Sequence, residues 1–107
     1  MVLVAVGAGA VGGYSVSRDT FEGVSAKGQD EIWDAANQVL AIMGEIKDSD
    51  RKGGAITAMV TGVKVTVSII PVSLTATKLR VKARKSIFPR IAIAQDVYAK
   101  IMRQLEQ

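Results

Sequence analysis

Cysteine and histidine are both absent from the chain. Their absence removes thiol nucleophiles, imidazole bases and nearly every zinc or transition-metal site. It also removes disulfides, so cysteine usage says nothing about redox compartment. Any chemistry would have to rest on Asp, Glu, Lys, Ser, Thr or Tyr. Aromatic residues are scarce, namely Tyr14, Phe21, Trp33, Phe88 and Tyr98. The core must therefore be built mainly from Val, Ile, Leu, Ala and Met. No apolar run reaches the roughly 20 residues of a membrane-crossing helix. Residues 2–13 (VLVAVGAGAVGG) are small and apolar, but too short and too Gly-rich to span. They also lack a basic leading segment, so they do not make a complete signal peptide.

What is present is one domain's worth of sequence, 107 residues with 49% hydrophobic and 22% charged residues. Residues 1–13 hold only Val, Leu, Ala and Gly after Met1, which reads as a tether or leader remnant. Residues 14–107 read as a single α+β domain. The net charge of +4 permits contact with nucleic acid or anionic head groups without demanding either. A solvated basic face is the simpler reading.

Residues 14–24 (YSVSRDTFEGV) alternate weakly and favour a strand, with a slip near Phe21 and Gly23 that suggests a bulge. From Ser25 the period changes. Ile32, Trp33, Ala36, Val39, Leu40 and Met43 form the stripe of a core-facing helix. Asp30 and Glu31 sit in its first turn, where the helix dipole favours them, and Gly44 ends it. Strands follow over Glu45–Asp50, Ala55–Thr61 and Val63–Ile70, with turns at 51–54 and Gly62 and a stop at Pro71. Val63, Val65, Val67 and Ile69 share one face. Ala76–Arg84 alternates again, Leu79, Val81 and Ala83 against Lys78, Arg80, Lys82 and Arg84. Pro89 suits the start of a last helix, whose stripe is Ala94, Val97, Tyr98, Ile101, Met102 and Leu105.

The expected order is β-α-β-β-β-β-α. Consecutive strands with short turns predict an antiparallel meander, and two helices with one apolar stripe each should cover one of its faces. The basic alternation of residues 78–84 fits a second face that is wet.

Gly7-Ala8-Gly9-Ala10-Val11-Gly12 matches the glycine pattern of a dinucleotide-binding turn. That chemistry needs a helix directly after the glycines, a parallel sheet, and an acid at the end of a second strand. Tyr14–Ser17 alternates instead, and four antiparallel strands in a row cannot supply the sheet. A Gly/Ala spacer explains the match, and no cofactor is expected. Asp30 and Asp34 share a helix face, as any pair four apart would, and no pocket signal flanks them. Asp48 and Asp50 lack the ligand count of a calcium loop. These residues point to no catalytic centre and no metal site.

Lys64, Lys78, Arg80, Lys82, Arg84, Lys85 and Arg90 could form one basic patch. Readers of single-stranded nucleic acid add stacking aromatics, and none occurs over residues 63–87. A patch that deters edge pairing, or one that meets anionic lipid head groups, fits better. Trp33, Leu40, Met59, Val67, Tyr98 and Met102 are candidates to line an apolar cavity between helices and sheet. Plain core is the simpler reading of them.

The order of parts resembles a family of small Gram-negative lipoproteins of unknown function, the Francisella virulence-associated type. The parts that carry the resemblance are the spacer GAGAVGG, the strand YSVSRDTFEG, the helix core Asp30-Glu31-Ile32-Trp33-Asp34-Ala35-Ala36, and the helix end at Leu40 and Gly44. The resemblance extends over nearly the whole chain. It implies a lipidated Cys before the spacer, a place that Met1 holds here, and hence a membrane-anchored protein of the cell envelope. It also implies a helix-grip fold similar to Bet v 1 and to outer-membrane-assembly lipoprotein domains. The family has no assigned catalytic residues to transfer.

The expected function is thus a non-enzymatic envelope lipoprotein domain, virulence-associated, that binds a protein partner or an apolar or lipid ligand. The alternative is a nucleic-acid- or anionic-surface-binding module that uses Lys78, Arg80, Lys82 and Arg84.

Overall fold

A computed structural model describes residues 14–105. The tether expected over residues 1–13, with the glycine motif at 7–12, lies outside the described residues. The elements are β1 (Ser15–Val16), β2 (Thr20–Ser25), α1 (Gln29–Met43), β3 (Glu45–Asp50), β4 (Ala55–Val60), β5 (Val63–Ser73), β6 (Ala76–Lys85), β7 (Phe88–Pro89) and α2 (Ile91–Leu105). The protein is α+β: one open sheet of seven strands and two helices. The strands run in the order β1-β2-β6-β5-β4-β3, β7 adds to β6, and every pairing is antiparallel.

The order differs from the expected one by two strands of two residues each, β1 and β7. The irregularity in the first strand falls at Ser17–Asp19 rather than at Phe21 and Gly23. There the chain folds back on itself: the Ser17 N–H donates to the Thr20 carbonyl at 2.8 Å, and the Thr20 N–H to the Ser17 hydroxyl at 3.2 Å. Short polar side chains supply such local bonds and so compete with a straight strand.

Pro71 does not stop β5, which runs on to Ser73. The Ile69 N–H donates toward β4, to the Gly54 carbonyl, at 2.7 Å. Two residues on, position 71 faces the same side, but β4 has already ended, its pairing closing at Ala55 with Ser68. The N–H that proline lacks would have pointed at solvent.

The helices form where the apolar stripes predict them. The Glu31 carboxylate accepts the Gly28 N–H at 3.2 Å ahead of α1, and the Gly44 N–H closes its last turn on the Leu40 carbonyl at 2.9 Å. Thr61 and Gly62 both take positive φ, 48° and 79°. That conformation makes the tight two-residue hairpin between β4 and β5.

Both helices lie on one face of the sheet. Ile56, Ala58 and Val60 of β4, Val65, Val67 and Ile69 of β5, and Leu79, Val81 and Ala83 of β6 are all buried beneath them. Phe21 of β2 lies opposite Val81, itself opposite Val67, so the core runs unbroken across the strands. From the helices come Ile32, Ala36, Leu40, Val97, Tyr98, Ile101 and Met102. Burying such side chains stabilises the fold by about 1.5–3 kcal/mol each.

Tyr98 packs between Phe21 and Tyr14, with ring centroids 4.7 and 6.1 Å away. Gly23 makes room for it, since a Cβ there would press on the Tyr98 hydroxyl. That hydroxyl is buried with no hydrogen-bond partner among the described residues. Burial, and then the nearby Tyr14, push its pKa well above the usual phenol value.

Candidate functional site

The second face of the sheet carries the charge. On β6 the outward residues are Lys78, Arg80, Lys82 and Arg84, as the alternation predicts. The structure divides these four residues into two sets.

At one end, the half-buried Lys78 and Arg80 share a single carboxylate. Glu22 of β2 lies opposite Arg80, and its Oε2 is 3.7 Å from Lys78 Nζ and 3.5 Å from Arg80 Nη2. Its side chain is 19% exposed. At the other end, Arg84 Nε donates to Asp19 Oδ2 at 2.5 Å, and the Thr20 hydroxyl donates to Asp19 Oδ1 at 2.8 Å. The Arg84 bond, and then the Thr20 bond, hold the Asp19 carboxyl below its ordinary value.

Lys82 stands between these two clusters with no ion pair among the described residues. β5 brings a second such cation beside it. Lys64 lies directly opposite Arg84, and Thr66 directly opposite Lys82. Ser86 begins the β6–β7 turn with φ of 58°, a left-handed conformation uncommon outside glycine. Lys64, Thr66, Lys82, Arg84 and Ser86 line an open basin of about 280 Å³.

These five side chains offer ammonium, guanidinium and hydroxyl donors from two adjacent strands. Asp19, the nearby carboxylate, is occupied by Arg84 and Thr20. A compact oxyanion suits such a set: a guanidinium can present two parallel N–H groups, and ammonium groups act as point charges beside it. Two lysines and an arginine across neighbouring strands repel one another, a cost that a bound anion relieves. Among the described residues, no cluster of His, Cys, Asp or Glu could hold a metal ion.

The cavity candidates are placed differently. Leu40, Val67, Tyr98 and Met102 are fully buried in the packed core, and Trp33 is 8% exposed at its margin. The Arg51 guanidinium lies 5.7 Å from the Trp33 ring and pairs with Asp30 at 3.1 Å, and the three residues line a small hollow of about 110 Å³ at that margin. Met59 does not join them. It projects from the opposite face of β4, between Glu45 and Lys64, because Ile56, Ala58 and Val60 take the inward positions.

Of the basin residues, Lys82 and Arg84 belong to the patch predicted on β6, and Lys64 to the wider basic set. Alternation along β5 sets Thr66 on the outer face with Lys64, whereas Ser86 and the two neutralising carboxylates, Asp19 and Glu22, carry no signal in the linear sequence. They become visible once β2 and β5 are known to flank β6.

No known protein family matches the chain, and no curated protein matches it.

Proposed function

We propose that the protein is a non-catalytic binding domain that holds a phosphate-like anion on the open face of its sheet. The observation that carries this reading is the pair Lys64 and Lys82. Neither makes an ion pair among the described residues, although Lys82 helps to lower the Asp19 pKa through space, and both line the basin with Arg84. Lys78 and Arg80 belong to the same strand, but Glu22 already answers them.

The resemblance noted above supplies the setting: an envelope lipoprotein, virulence-associated and anchored through a lipidated N-terminus. The same resemblance suggests a helix-grip arrangement of the Bet v 1 kind. In such a fold the interior is the usual place to look for an apolar ligand. Here Leu40, Val67, Tyr98 and Met102 fill the space between helices and sheet, so the binding reading moves to the outer face.

Isothermal titration of the protein with inorganic pyrophosphate tests this reading. The wild-type chain should bind, and the affinity should fall as salt is raised, because surface charges are screened within about a Debye length. The double substitution Lys64→Gln, Lys82→Gln should weaken binding about tenfold, since hydrogen bonds to charged groups contribute about 1.5–3 kcal/mol each before solvent screening. Equal affinity in the two proteins would remove the basin from consideration.

A further inference from the structure

The basin lies at one end of the sheet, and that same end carries an apolar tip. The β6–β7 turn places Ile87 and Phe88 side by side, 74% and 57% exposed. Ile87 in the turn and Phe88 at the start of β7 together make a small contiguous apolar patch, and an apolar patch rimmed by polar groups is the kind of surface that meets a partner or a membrane. Cations surround them. Arg84 and Lys85 precede the turn, Arg90 follows it, and Arg18 of the β1–β2 turn lines a shallow hollow together with Arg84 and Ile87. Lys64 and Lys82 complete the set through the basin, whose wall includes Ser86 of the same turn.

The acids near this end are already committed. Asp19 is bonded to Arg84. Glu45, in the row that runs through Met59 to Lys64, lies two strands away and is paired with Lys47 at 2.9 Å. The opposite end of the sheet provides the contrast. The β5–β6 turn also exposes apolar side chains, Leu74 fully and Val72 by half. Yet the residues from Pro71 to Thr77 include no cation. Of the residues lining the hollow beside Leu74, Lys27 alone is a cation, so apolar exposure occurs at both ends, and a dense group of cations (Arg18, Lys64, Lys82, Arg84, Lys85 and Arg90) accompanies it at one.

We infer that this end of the sheet docks onto an anionic bilayer, with Ile87 and Phe88 entering the head-group layer while Lys64, Lys82, Arg84 and their neighbours engage lipid phosphates. The inference rests on the anion-binding reading and names its source: the phosphate is that of a lipid head group. Basic residues draw the protein to an anionic surface, and apolar side chains between them hold it there.

Co-sedimentation of the full chain with vesicles tests it. Phosphatidylcholine vesicles with and without phosphatidylglycerol are compared, using wild-type protein, the tip variant Ile87→Ser, Phe88→Ser, and the basin variant Lys64→Gln, Lys82→Gln. Amide NMR shifts with glycerol phosphate are read on the same proteins. Both tip residues are exposed, so the tip variant should keep its circular dichroism.

The expected result is binding to the phosphatidylglycerol vesicles alone, reduced about tenfold or more in the tip variant, as the loss of two inserted apolar side chains implies, and by a similar factor in the basin variant, as the loss of two basic residues at an anionic surface implies. The tip variant should still shift at the basin with glycerol phosphate. Vesicle binding undiminished in the tip variant would overturn the docking surface. So would indifference to vesicles alongside normal shifts with glycerol phosphate, which would leave the anion site standing. Absence of both responses would take down the anion site and the docking surface together. Tight binding of a single-stranded oligonucleotide without vesicle binding would replace the bilayer by nucleic acid.

Discussion

Strand β6 is basic along its whole outer face, yet its two halves differ. At the Lys78–Arg80 end, Glu22 sits across the strand pair and answers both cations. At the Lys82–Arg84 end, Asp19 answers Arg84, while Lys82 and its neighbour Lys64 make no ion pair among the described residues. The first half uses charge to bind strands together. The second leaves charge available. A count of lysines and arginines cannot separate these roles. The separation comes from which strand lies beside which.

Five substitutions test this contrast and the packing behind it. The largest effect belongs to the other face of the same strand. Leu79 is fully buried, and Leu79→Ala should cost about 3 kcal/mol in urea unfolding, in the range for a buried leucine. Lys82→Gln, three positions along and facing outward, should change stability by less than about 0.5 kcal/mol. Comparable losses from the two would mean that the open face is structural after all.

Asp19→Asn should come next. It removes a carboxylate held by Arg84 and Thr20, for about 1 kcal/mol or less given the exposure of Arg84. The pH dependence gives the sign. The Asp19 pKa is lowered in the folded protein, so its contribution is complete above the unfolded value near 3.8 and fades as pH falls below it through the lowered folded value. The Asn variant should therefore lose stability at neutral pH and match wild type in strong acid. A deficit of equal size at every pH would place the effect elsewhere.

Glu22→Gln should act in the opposite sense on binding. It frees Lys78 and Arg80, so affinity for pyrophosphate should rise a few fold, on the order of 0.5–1 kcal/mol for one added near-surface charge interaction. Unchanged affinity would confine the anion site to the far half of β6. A substitution that costs nothing is expected at Tyr98. Tyr98→Phe removes a buried hydroxyl that has no partner among the described residues. Thermal unfolding should show the variant unchanged or stabilised by up to about 1 kcal/mol, as removing a buried unpaired polar group predicts.

Much of the fold could be read from spacing. The stripe from Ile32 to Met43 marks α1, and the stripe from Ala94 to Leu105 marks α2. The alternations over Val63–Ile70 and Ala76–Arg84 sort β5 and β6 into inner and outer faces because side chains alternate strictly along a strand. The placing of Met59 was available in the same way. A two-residue turn at Thr61-Gly62 pairs Val60 with Val63, which puts Met59 opposite Lys64 on the outer face.

The basin was harder to see, because its geometry depends on an irregularity. Ser73 pairs with Ala76 at the hairpin, and extending that register would set Lys64 opposite Lys85. A bulge between Pro71 and Ser73 shifts the register by one residue and sets Lys64 opposite Arg84. The shift keeps Val65, Val67 and Ile69 facing Ala83, Val81 and Leu79. The apolar face thus dictates where the cations meet. The neutralising carboxylates were hidden for another reason. Glu22 and Asp19 reach β6 through a pairing between strands more than fifty residues apart in sequence, and no local pattern encodes such a neighbour.

Lys82 and Arg84 of β6, with Lys64 beside them, make the proposed place for an anion. A two-dimensional amide NMR titration of the folded chain with inorganic phosphate tests it most directly. The expected result is saturable shifts at Lys64–Thr66 and Lys82–Ser86, with Lys78–Arg80 undisturbed. Shifts spread evenly along the whole basic face, or no shifts at low salt, would rule the site out.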